Sequence, residues 1–172
     1  MSNYQVRPAT LRDAKAIAQI HTASALEAYR GIVPDDQLKA MSSVEKRQAY
    51  WREAIEYCEP QVHVAIDGDK IVGFVGFDRS RDEKSRQTTG EVWPSMRPFA
   101  LEQRCRRDAV GCSREGLQEE GCTNVTVWVP LRNERALRFH EMAGFKREMS
   151  TAKTTPVGGI KIEEIRLKRP LN

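Results

Sequence analysis

The chain has 172 residues, 40% hydrophobic and 30% charged, which is the size and composition expected of one water-soluble domain over 1–172 with a sizeable core. A net charge of +4, with 7% aromatic residues and none interleaved among the arginines, points away from nucleic acid. No apolar run approaches the roughly 20 residues that span a bilayer, and the start shows no charged region followed by an apolar stretch, so a cytoplasmic protein without membrane association is expected.

In chain order, Tyr4–Arg7 alternates as an edge-type strand, and Thr10 is a natural cap for a helix reaching Tyr29. Gly31 ends that helix; a short second one starts near Pro34, and a third is capped by Ser42 or Ser43 and runs through Ile55. Gln61–Ile66 and Ile71–Phe77 flank Asp67-Gly68-Asp69, a good hairpin signal. Asp78–Thr89 is polar and aperiodic and reads as a mobile loop, followed by a strand from Gly90 to Trp93. Ser113–Gly121 is the end of a helix, Val125–Val129 a strand, and Asn133–Ala143 a helix closed by Gly144. Phe145–Met149 and Ile160–Leu167 read as the last two strands. The order implies an α/β (α+β) domain around a mixed, mostly antiparallel central sheet flanked by helices. Cys58, Cys105, Cys112 and Cys122 form no CxxC pair and have no metal-ligand spacing with His21, His63 or His140, so no metal is expected.

This order, with Val6-Arg-Pro-Ala-Thr-Leu-Arg-Asp-Ala14, Ile71-Val-Gly-Phe-Val75 and above all Asn133-Glu-Arg-Ala-Leu-Arg-Phe-His-Glu-Met-Ala-Gly-Phe145, resembles the GCN5-related N-acetyltransferase superfamily over nearly the whole chain. The resemblance implies transfer of acetyl from acetyl-CoA to a small or peptide-like amine by direct attack. A dimer formed through the sheet edge is compatible with it.

The resemblance breaks in one place. The family carries Gln/Arg-x-x-Gly-x-Gly/Ala after its fourth strand, where glycines let backbone N–H groups approach the pyrophosphate. Here the matching residues are Gln103, Arg104, Cys105, Arg106, Arg107 and Asp108, whose side chains obstruct that approach. Codons allowed for Pro98–Cys112, read one nucleotide later, can spell Pro-Ser-His-Trp-Ser-Ser-Gly-Val-Gly-Gly-Thr-Leu-Trp-Val-Ala. Pro94–Arg97, read one nucleotide early, can spell Ala-Ile-Tyr-Ala. A reading-frame error over 94–113 therefore restores the missing loop. Two other readings stand beside it: Arg104, Arg106 and Arg107 grip phosphate by their side chains, or the chain is a degenerate, non-catalytic binding module.

Three chemical roles follow from the resemblance: a base for the ammonium, a donor for the thioester oxygen and an acid for the thiolate. Glu91, at the start of the fourth strand, is the candidate base. His140, where relatives often have a tyrosine, is the candidate acid. Backbone N–H groups near Met96 and Arg97 would polarise the carbonyl, and Asn133, Ala136 and Phe139 would line the pantetheine arm. His21, Glu27 and Tyr29 are the acceptor-side candidates, while Phe74 and Trp128 are expected in the core.

Overall fold

Seven extended segments, most of them with apolar residues in alternation, build one seven-stranded sheet in the computed structural model, which describes residues 4–96, 113–157 and 159–171. The strands are β1 (Tyr4–Pro8), β2 (Gln61–Asp67), β3 (Lys70–Arg79), β4 (Thr89–Met96), β5 (Asn124–Pro130), β6 (Lys146–Val157) and β7 (Ile160–Pro170). Between β1 and β2 come α1 (Ala14–Tyr29), α2 (Asp35–Met41) and α3 (Val44–Tyr57). A helix over 113–119, α4, precedes β5, and α5 (Glu134–Met142) follows it. The spatial order is β1-β2-β3-β4-β5-β7-β6, antiparallel throughout except for the parallel pair β4–β5. No helix among the described residues is long and apolar enough to cross a membrane.

Each face of the sheet has its own core, because successive side chains of a strand point to opposite sides. Phe74 and Val64 join Ile17 and Ile20 of α1 and Trp51 of α3 on one face. Val75, Phe77, Val92, Val125, Val127 and Val129 join Leu117 of α4 and Leu137 of α5 on the other. The first turn after β1 is held by Asp13, which accepts from the Thr10 N–H at 2.8 Å and from the Arg7 guanidinium at 2.7 and 3.1 Å. Ser43, rather than Ser42, caps α3 by accepting from the Lys46 N–H at 3.2 Å.

Close approach of α4 to the sheet depends on two glycines. A Cβ on Gly116 would lie 2.4 Å from the buried Phe77 ring, and one on Gly90 would lie 2.7 Å from Leu117. Gly116→Ala gains about 1 kcal/mol of helix propensity but forces an overpacking cost of about 1–3 kcal/mol. A lowered melting temperature is therefore expected in thermal denaturation, and an unchanged or raised one would show that α4 shifts outward freely.

Two expectations need correction. The penultimate strand is not the short Phe145–Met149 segment but runs from Lys146 to Val157. Its far half is mostly polar and exposed until Val157 and lacks regular apolar alternation, as suits an edge strand, and Pro156 is tolerated there. Pairing with β7 shifts register between Glu148 and Lys153, where the Thr151 hydroxyl donates to the Glu148 carbonyl at 2.6 Å and accepts from the Arg166 N–H at 3.1 Å. The second correction concerns Asp78–Thr89: its ends belong to β3 and β4, and its middle is tied to the sheet rather than loose.

Candidate active site

The parallel strands β4 and β5 pair only from Thr89 to Glu91 against Asn124 to Thr126. Beyond that point β4 continues along β3 to Met96, and β5 continues along β7 to Pro130. The two strands therefore part. Among the described residues, the edge of β4 after Glu91 and the facing edge of β5 after Thr126 have no strand partner. At the crotch the buried Thr126 hydroxyl donates to the Gly90 carbonyl at 2.9 Å, clasping the last paired position. Such a fork leaves backbone N–H and C=O groups available to an extended ligand that carries amides.

Glu91 stands at this crotch and is only 6% exposed. Burial pushes its carboxyl above the ordinary range. The Arg81 N–H, which donates to Glu91 Oε2 at 3.3 Å, works against that shift, as do the charges of Arg81 and Lys153, while the Asp82 charge adds to it. Arg81 belongs to the 80–88 segment, which lies across this face as a strap. Its anchor is Asp82, which accepts from Trp128 Nε1 at 3.2 and 3.3 Å and pairs with Arg166 at 3.0 Å. Arg166 in turn donates through Nε to Glu148 at 2.6 Å. Trp128 is thus not in the core: Val125, Val127 and Val129 take the core side of β5, and Trp128 faces the strap.

On the other face, α5 begins where β5 ends. The Asn133 side chain accepts from the Ala136 N–H at 3.2 Å, an ordinary N-cap at the mouth of the fork. Ala136 packs against the core cluster, and Phe139 is half-buried with its ring edge-on to His140 at 5.2 Å. His140 is buried, edge-on to Phe145 as well, and its Nδ1 lies 2.8 Å from the Ala136 carbonyl. A carbonyl only accepts, so Nδ1 carries the proton of this contact.

The acceptor-side candidates are not gathered. His21 Nδ1 accepts from Trp51 Nε1 at 3.0 Å within the α1–α3 core, and its pKa is lowered to about 4 by burial and then by the Arg47 charge. Tyr29 packs beside Val33, Leu38 and Ile162, with its pKa raised chiefly by burial. Glu27 is exposed and pairs with Arg30 at 3.2 Å. Met96 is the last residue of β4, its backbone opposite Gly73. Arg97 and Gln103 to Asp108 lie outside the described residues. Among those described, no three His, Cys, Asp or Glu side chains gather to hold a metal ion. Arg81, Asp82, Glu148, Lys153 and Arg166 join the site without a local signal in the sequence, whereas the strict alternation of β5 places Trp128 on their face.

No family model matches the chain. It is 26% identical over 170 residues to an uncharacterized N-acetyltransferase, YuaI, of Bacillus subtilis (strain 168), covering 96% of this chain and 92% of the relative. The fold is similar to that of PaiA N-acetyltransferase from Thermoplasma acidophilum, solved in complex with coenzyme A, with a TM-score of 0.78, 13% identity and coverage of 98% and 99%. It is likewise similar to yncA from Salmonella typhimurium, solved with its cofactor acetyl-CoA, with a TM-score of 0.75, 18% identity and coverage of 99% and 95%.

Proposed function

We propose that the chain is a GCN5-related N-acetyltransferase that transfers acetyl from acetyl-CoA to a primary amine by direct attack, a reading supported by its fold and by its near end-to-end likeness to a curated N-acetyltransferase. The observation that carries this reading is the buried Glu91 at the point where β4 and β5 part. The fork fits the cosubstrate: its two edges offer unpaired peptide groups to an arm that itself contains amides, and α5 starts at its mouth. Acetyl-CoA supplies the activated thioester.

The residues of the chain do the rest. Glu91 takes a proton from the incoming ammonium, directly or through water. Burial makes it a stronger base than an exposed carboxylate, and the Arg81 N–H fixes its orientation. His140, held by its bond to Ala136, hands a proton from Nε2 to the departing sulfur and must first be doubly protonated to do so. Asn133 orders the start of α5 beside the arm. Small and peptide-like amines both remain within this reading.

Two measurements test it. Acetyl-CoA should bind saturably and be displaced by CoA, with ligand at 100-fold over Kd adding about 2.7 kcal/mol of stability. No thermal shift with either ligand would favour the non-catalytic module. Peptide-mapping mass spectrometry between Trp93 and Arg114 should return a peptide rich in glycine and containing His-Trp, the product of the shifted frame. Masses matching Pro94–Ser113 as written would end the frame reading and move the phosphate grip to Arg104, Arg106 and Arg107.

A further inference from the structure

Two cations, Arg81 of the strap and Lys153 of β6, act on Glu91. Of the three charged groups coupled to that carboxylate, Asp82 is taken up by Arg166. Arg81 and Lys153 make no ion pair among the described residues; each rests instead on an indole. The Arg81 guanidinium carbon is 5.0 Å from the Trp93 ring centroid, and the Lys153 ammonium is 3.8 Å from that of Trp128. Stacking occupies the face of a guanidinium but leaves its N–H donors, which lie in the plane, free for a carboxylate.

The spacing suits one class of ligand. Trp93 is two residues beyond Glu91 on the same strand face, about 7 Å along β4. With the Arg81 guanidinium on the Trp93 ring, a ligand whose ammonium meets Glu91 and whose carboxylate lies a few bonds away can reach towards it along the same strand face. The anchor set Asp82–Trp128–Arg166–Glu148 keeps the strap, and hence Arg81, in place without any ligand. A polycationic amine would instead bring further positive charge against two fixed cations.

Resting on the acetyltransferase reading, we infer that the acceptor is an amino-acid-like amine whose carboxylate is held by Arg81, with Lys153 adding positive potential at the rim. Asp82 and Arg166 are positioning residues for that contact.

The test is acetyl transfer, followed by CoA release, to the twenty amino acids, to their α-carboxamides and to spermidine. At least one amino acid should exceed its own carboxamide by about tenfold to a hundredfold in kcat/KM, the effect of one charge-assisted hydrogen-bond pair. Arg81→Met should bring that ratio towards one, and Arg81→Lys should recover part of it. Equal or better transfer to carboxamides or spermidine, or a ratio untouched by Arg81→Met, would overturn the inference while leaving acetyl transfer intact. A protein that binds no acetyl-CoA overturns both together.

Discussion

Glu91→Gln is expected to lower kcat by about 10²–10⁴-fold, the usual contribution of a positioned general base, with little change in acetyl-CoA affinity. The wild-type kcat/KM should fall on the acid side through a pKa above the ordinary carboxylate range, because burial raises the Glu91 carboxyl and the Arg81 N–H only partly offsets it. The variant should lack that limb. Stability runs the opposite way. A carboxyl whose folded pKa is raised favours the folded state below its unfolded pKa, and this advantage is lost as pH rises through the folded pKa. Because the charged form of Glu91 is the one that burial disfavours, Gln should raise the melting temperature more at pH 8 than at pH 4. Thermal denaturation at both pH values checks the sign. An active, acid-limbed Glu91→Gln enzyme would transfer the base role elsewhere.

Arg166→Met is expected to be the most damaging single change in the strap. Its guanidinium serves two carboxylates from different parts of the chain, Asp82 at 3.0 Å and Glu148 at 2.6 Å, with all three side chains less than one-third exposed. Methionine keeps much of the packing but removes the cation from both acids, leaving Asp82 only the Trp128 indole N–H. Breaking a fully buried pair costs about 3–5 kcal/mol, and partial exposure reduces the expectation to about 2–3 kcal/mol. Activity should fall as well, since a loosened strap no longer aims the Arg81 N–H at Glu91. Arg166→Lys should recover only part, because one ammonium cannot reproduce the two-sided guanidinium fork. Adding Glu148→Gln to Arg166→Met should return some of the lost stability by removing one unpaired charge; strictly additive losses would show that the pair is not coupled.

Much of the site was legible at the level of single elements. Glu91 could be placed at the start of a strand and Asn133 at a helix cap, and both stand there. Its burial could not be read in the same way, because a carboxylate at a strand end is exposed unless something covers it. The strap that covers it reads as loose when only its polar, aperiodic sequence is considered. Trp128 illustrates the converse. Its size suggests the core, yet its position between Val127 and Val129 puts it on the opposite face of β5. His21 was singled out for its chemistry, but Trp51 and Phe74 absorb it into packing.

Periodicity, turn residues and caps act within a few neighbouring positions, so the succession of strands and helices, the hairpin at Gly68, the cap at Asn133 and the family resemblance are all written locally. Long-range packing sets the rest: β7 lies between β5 and β6, β4 and β5 share only three paired positions before parting, and Asp82 is held by Trp128 and Arg166. Those partners lie 46 and 84 residues from Asp82 along the chain. No local pattern carries a contact over such a distance; it arises only when the sheet order brings the strands together and leaves charged groups facing one another across the same face.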